Sequence, residues 1–129
     1  MTGPAEMALQ PRRFANCVML SPAGRVDHQN AEALRAALAP HLADCTTGRD
    51  AVVLDCAQLE YISSAGLRIL MLAAKQVKTQ GGKMMVAAMQ PVVAEIFEIS
   101  RFNLVFQTND TVRKALASLS PEALAAFGN

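Results

Sequence analysis

Two adjacent hydroxyls, Ser63 and Ser64, stand between "AQLEYI" (57–62) and the small pair Ala65-Gly66, and a large apolar run follows. This is the most chemically suggestive stretch of the chain. A serine at a helix start accepts a hydrogen bond from a free first-turn N–H, which is worth about 1 kcal/mol. The same amides and the positive helix end also favour an anion. A phosphate there carries roughly −1.5 to −2 charges at neutral pH without melting the helix. Ala65 and Gly66 keep the adjoining surface low, so a partner can reach the hydroxyl. Capping and modification are compatible roles for one serine.

Nucleophilic chemistry fits less well. A nucleophile elbow reads Gly-x-Ser-x-Gly, and with Ser64 as nucleophile position 62 is Ile. Asp27 and His28 could supply triad-like groups, but their spacing matches no known order and no oxyanion loop accompanies them. Neither GxGxxG nor GxxxxGK[ST] occurs, and no paired carboxylates suit acid–base work. The expectation is no catalytic residue and no enzyme; a small hydrolase using Ser64 is what survives of that class. Cys17, Cys45 and Cys56 are an odd set without CxxC spacing, and His28 and His41 do not complete a zinc set. Buried thiols, no metal and no cofactor are expected.

Bulk properties narrow the partners. A net charge of +1, with Lys and Arg spread along the chain, gives no electrostatic case for nucleic acid. The longest apolar runs, 69–74 and 84–89, fall far short of the ~20 residues a membrane helix needs, and the N-terminus has no apolar h-region. No direct membrane insertion is expected, and the location expected is cytoplasmic.

The elements that must position the serines follow from hydrophobic period. "FANCVML" (14–20) has strand composition, and "SPAG" (21–24) is turn material that could bulge a strand before Arg25-Val26. Ala31, Leu34, Leu38 and Leu42 mark a helix capped by Asp27 or Asn30, with Pro40 in its last turn. "AVVLDC" (51–56) is apolar on both faces, as a central parallel strand is. A helix runs from Ser64 or Ala65 to about Thr79, with Leu67, Leu70, Met71 and Ala74 inward and Gly81-Gly82 as its stop. "KMMVAAM" (83–89) is a strand, and Pro91 opens a helix striped by Val92/Val93, Ile96 and Phe97. "NLVFQ" (103–107) is a short strand. Thr108, Asn109 or Asp110 caps a last helix with Val112, Ala115, Leu116 and Leu119 inward.

Regular alternation predicts a small single α/β domain, with a mostly parallel four- to five-stranded sheet, about four helices and an antiparallel edge. Residues 1–13 form an N-terminal segment with room for an edge strand, 14–119 the domain, and 120–129 a helical turn or tail whose Phe127 could meet a second copy. Functional positions in such sheets lie in loops leaving the carboxyl ends of strands. Two loops qualify, "GRVDHQN" (24–30) and "LEYISSAGL" (59–67).

With these residues in place, the chain resembles a known family. "RVDHQNAEALRAAL" (25–38), "AVVLDCAQLEYISSAGLRIL" (51–70) and "GGKMMVAAMQPVVAEIFEIS" (81–100) are similar, in order, to the STAS domain of sulphate transporters and anti-sigma factor antagonists. The resemblance spans about Phe14 to Leu119. The family motif reads Asp-Ser-[Ser/Thr/Ala]-Gly-Leu; here Ser63 replaces the Asp, Ser64 takes the modified position, and Ala65, Gly66 and Leu67 match the rest. The resemblance implies a non-enzymatic module that binds an anti-sigma factor acting as serine kinase, is switched off by phosphorylation of Ser64, and is reset by a phosphatase. Ser63 is the less favoured acceptor. The implied partner-binding residues are Asp27, Ser63, Ala65, Gly66 and Leu67. An alternative family role is a non-phosphorylated subunit docked in a larger assembly such as a lipid-transport ABC complex.

Overall fold

The computed structural model describes residues 7–128; the expectation for 1–13 therefore lies partly outside the described residues. Arg12–Phe14 (β1) and Cys17–Leu20 (β2) form an antiparallel hairpin in which Phe14 pairs with Cys17. The single strand expected over 14–20 is thus split by a two-residue turn, with Ala15 in the left-handed region at φ 54°. β2 then runs parallel to Ala51–Asp55 (β4), which follows Gly24–Val26 (β3) and the helix Ala31–Ala43 (α1).

Leu59–Ile62 (β5) leads into the helix Ser64–Thr79 (α2), and Met84–Ala87 (β6) into the helix Pro91–Ile99 (α3). Gln107–Asn109 (β7), Val112–Leu119 (α4) and Pro121–Phe127 (α5) complete the chain. The main sheet has the order β1-β2-β4-β6-β7, parallel except for the β1 edge. β3 and β5 form a separate parallel ladder, with an irregularity between Gly24 and Arg25 where the turn-rich segment enters. The fold is a small α/β domain with a mostly parallel sheet, as expected from the alternation, and the described residues hold five helices where about four were expected.

Successive residues of a strand face opposite sides, and β4 shows how the two layers are filled. Val52 and Leu54 join one core with Leu34 and Leu38 of α1, Leu70 and Val77 of α2, and Phe97 of α3. Ala51 and Val53 join the other with Phe14, Leu116 of α4 and Ala123 of α5. The continuous apolar run of β4 is explained by helices covering both faces.

Several expectations are corrected. The run "NLVFQ" is not a strand: Arg101 turns left-handed at φ 64°, Phe102–Leu104 form a 3-10 turn, and the strand starts at Gln107. Phe106 is drawn into an aromatic cluster with Phe97, 5.7 Å between ring centroids, whereas Leu104 and Val105 stay exposed and the edge strand is polar. The cap of α4 is Thr111, not Thr108, Asn109 or Asp110; its Oγ1 accepts the Lys114 N–H. In α2, Met71 and Ala74 are only half-buried, and Ala73 and Val77 carry the core instead. Residues 121–127 are a full helix, and Phe127 is not an exposed tail residue: it packs edge-on against Phe14 at 5.1 Å.

Cys17, Cys45 and Cys56 are free and buried, as expected. Burial raises all three thiols, and Cys56, which has no solvent exposure, is pushed up to about 12. Among the described residues no helix is long and apolar enough to cross a membrane.

Candidate functional site

The two loops singled out by sequence lie side by side. Val26 pairs with Ile62 in the β3–β5 ladder, and the Ser63 N–H donates to the Val26 carbonyl at 2.8 Å. Whatever leaves the carboxyl end of β3 therefore adjoins whatever leaves β5.

The β3 side is a fixed turn. Asp27 Oδ1 accepts the Gln29 N–H at 2.9 Å, and Asn30 Oδ1 accepts the Asp27 N–H at 2.8 Å. Asn30 Nδ2 donates to the Arg25 carbonyl at 2.8 Å. Neither Asp27 nor Asn30 caps α1 with its side chain, contrary to expectation: Asn30 occupies the cap position but spends both ends of its amide on the turn. Asp27 is left half-buried with one oxygen engaged, and His28 beside it is exposed.

On the β5 side the two serines divide the work. Ser63 is the cap: its Oγ accepts the Gly66 N–H at 3.3 Å, and its carbonyl accepts the Leu67 N–H at 2.9 Å. Ser64 is the first helical residue; it is exposed, and its hydroxyl has no hydrogen-bond partner among the described residues. The sequence left open which serine would cap, and a capping Ser64 was one of its readings; the structure gives that role to Ser63.

Gly66 explains how α2 comes so close. A Cβ at this position would stand 2.7 Å from Cγ1 of Ile62 and 2.7 Å from Cγ1 of Val26. Only a residue without Cβ lets the first turn of α2 rest on both strands of the small ladder. Leu67 is also buried, in the core with Leu70 and Val26. Of the residues expected at a partner face, Asp27, Ser63, Ser64 and Ala65 therefore reach the surface at one end of the domain, while Gly66 and Leu67 lie beneath them.

Three contributors had no distinct sequence signal. Asn30 locks the Asp27 turn, and its place in "DHQN" hinted only at a cap. Arg25 lies over the Tyr61 ring, 4.4 Å from its centroid, on the outer side of the ladder, so Tyr61 is half-buried rather than free. Gln90, ahead of α3, donates to the Ala57 carbonyl at 2.8 Å and pins the loop before β5.

Among the described residues no group of three or more His, Cys, Asp or Glu is placed to hold a metal ion. A wide surface concavity, about 800 Å³, lies at the opposite end beside Lys75, Lys78, Lys83 and Leu104, away from both loops. It has no part in the Ser64 geometry.

Comparison with known proteins bears on the family and the fold. The family model for the STAS domain matches residues 8–115. BtrV of Bordetella bronchiseptica, which carries the name of a candidate anti-sigma factor antagonist, is 43% identical over 101 residues, covering 78% of this chain and 84% of that protein. Among solved structures, an anti-sigma factor antagonist from Mycobacterium paratuberculosis superposes with a TM-score of 0.77 at 22% identity, covering 92% and 97% of the two chains. The Bacillus cell fate determinant SpoIIAA, solved in its phosphorylated form, gives a TM-score of 0.64 at 16% identity, covering 88% and 100%. At these identities the two structures speak for the fold. The family match and the BtrV alignment go further, and the chain belongs to the STAS domain family.

Proposed function

We propose that this domain is a regulatory binding module of the anti-sigma factor antagonist type, which engages an anti-sigma factor with serine-kinase activity and is switched off by phosphorylation of Ser64. One observation carries the reading. Ser64 presents an exposed, unengaged hydroxyl at the first position of α2, beside the Asp27 turn, while Ser63 already performs the capping. The Bacillus relative solved in a phosphorylated form lends support from within the fold.

The docking face is Asp27, Ser63, Ser64 and Ala65, with Gly66 and Leu67 setting its position from beneath. In the unmodified state the Ser64 hydroxyl is small and neutral and is covered by the partner. The kinase transfers the γ-phosphoryl group of ATP to Ser64 Oγ, whose proton is lost, and the neutral contact becomes a dianion that resists desolvation. Each disturbed contact is worth ~1–3 kcal/mol, so affinity falls roughly tenfold or more. Asp27 adds repulsion to a phosphate on the neighbouring loop, and a phosphatase restores binding. In this reading the domain works in the cytoplasm, catalyses nothing itself and needs no cofactor or metal.

The test is phosphopeptide mass spectrometry on protein isolated from its own cells, beside a Ser64→Ala strain. A phosphate on Ser64 that vanishes in the variant without moving to Ser63 is the expected result. Absence of phosphate across growth phases and stresses, with the protein held in a stable complex, would overturn the switch; an ATPase in that complex would identify a docking subunit of the ABC-transport kind.

A further inference from the structure

Arg68 sits four residues beyond Ser64 on α2, and both residues are exposed. Side chains four apart on a helix project from one face, with Cβ atoms about 6 Å apart. Arg68 makes no ion pair among the described residues, as Arg49 and Arg101 make none, whereas Arg13 pairs with Asp50, Arg35 with Glu32, and Arg25 lies over Tyr61. The helix itself explains the vacancy. The neighbours of Arg68 at three and four residues are Ser64, Ala65, Met71 and Leu72, none of them charged, and the first turn of α2 contains no acid. Ser64 is the one helical neighbour that can acquire a negative charge, and it does so only by modification.

We propose that Arg68 is the internal partner of the phosphate: its guanidinium pairs with phosphorylated Ser64 and draws the group along α2, away from Asp27. The inference rests on Ser64 being the modified residue. The guanidinium fork matches two phosphoryl oxygens, so the pair fixes direction as well as charge. It also separates the two serines. Residues three and four beyond Ser63 are Gly66 and Leu67, both buried and uncharged, so a phosphate on Ser63 has no such partner. Arg68 is thus a positioning residue that favours one of two adjacent acceptors.

The experiment needs no kinase. Phosphoserine is installed at position 64 during translation, in the otherwise native chain and in R68Q and R68K variants, and the second ionisation of the phosphate is followed by phosphorus NMR. Arg25, Asp27, His28 and Glu60 on the adjoining strands and turn are common to all these proteins and cancel in the difference. The native arginine should hold the phosphate ionisation a few tenths of a unit below its position in R68Q, with R68K between them and the gap closing in high salt. Phosphoserine installed at position 63 should titrate alike with Arg68 or with R68Q. Equal midpoints at position 64 with and without Arg68, in proteins with unchanged circular dichroism, would overturn the pairing. That result would leave the proposed switch standing, whereas absence of Ser64 phosphate in cells would sink the switch without altering this titration.

Discussion

Two helices of this domain begin in nearly the same way and end up with different possibilities. α2 opens with Ser63-Ser64-Ala65-Gly66, and α5 with Ser120-Pro121-Glu122-Ala123. In both, a serine hydroxyl accepts the N–H three residues on, at 3.3 Å from Gly66 and 3.2 Å from Ala123. At α5 every free element is closed off. Ser120 is buried, its hydroxyl donates to Glu122 at 2.9 Å, and Pro121 fills the first helical position. At α2 the first position is a second, exposed serine, and the first turn carries no acid. A capping serine alone says nothing about regulation; what distinguishes the α2 start is an unengaged hydroxyl next to a cap that is already complete.

The largest effect should come from the glycine that seats α2. Gly66→Ala places a methyl 2.7 Å from both Ile62 and Val26, and overpacking of this kind costs about 1–3 kcal/mol. A urea midpoint unchanged by the substitution would mean that α2 does not rest on the ladder as described. Next come the caps. Ser120→Ala should cost about 1–2 kcal/mol, Ser63→Ala about 1 kcal/mol, and Ser64→Ala less than about 0.5 kcal/mol. Equal losses at Ser63 and Ser64 in denaturant titrations would erase the division of labour between them.

The smallest effect concerns pH. The Glu122 carboxylate is held below its usual 4.5, first by its own backbone N–H and then by Ser120. A depressed carboxylate stabilises the fold above its unfolded value and loses that contribution as pH falls through the folded one. Amide protection at Ala123 should therefore decline relative to Gly66 between about pH 5 and about pH 3. Parallel decline at both amides would show that Glu122 contributes nothing particular to the α5 start.

What the sequence made legible follows the strength of the local pattern. The limits of α2, the buried β4 and β6, and Pro91 at the head of α3 all come from long or sharply punctuated apolar patterns. β5 was missed because Glu60 interrupts a four-residue strand, preceded by polar Gln58, whose only partner among the described residues is β3. β7 was displaced because its own residues, Gln107, Thr108 and Asn109, are polar, while Phe102 and Phe106 ahead of it feed an aromatic cluster and Leu104 and Val105 stay exposed. At the site, the motif located the helix start and both serines. Their separate roles depend on which hydroxyl faces the Gly66 amide, and no spacing rule distinguishes neighbours at that resolution.

The three buried thiols give the molecule a built-in clock. Cys17 and Cys45 have no exposed surface and Cys56 is held protonated far above neutral pH, so an alkylating reagent meets no thiolate while the domain is closed. Each alkylation event then records an opening of the sheet, and comparing the three sites tells whether the β2, β4 and α1 ends open together or one at a time. The unmodified chain can thus time its own breathing, without a dye or an added cysteine near Ser64.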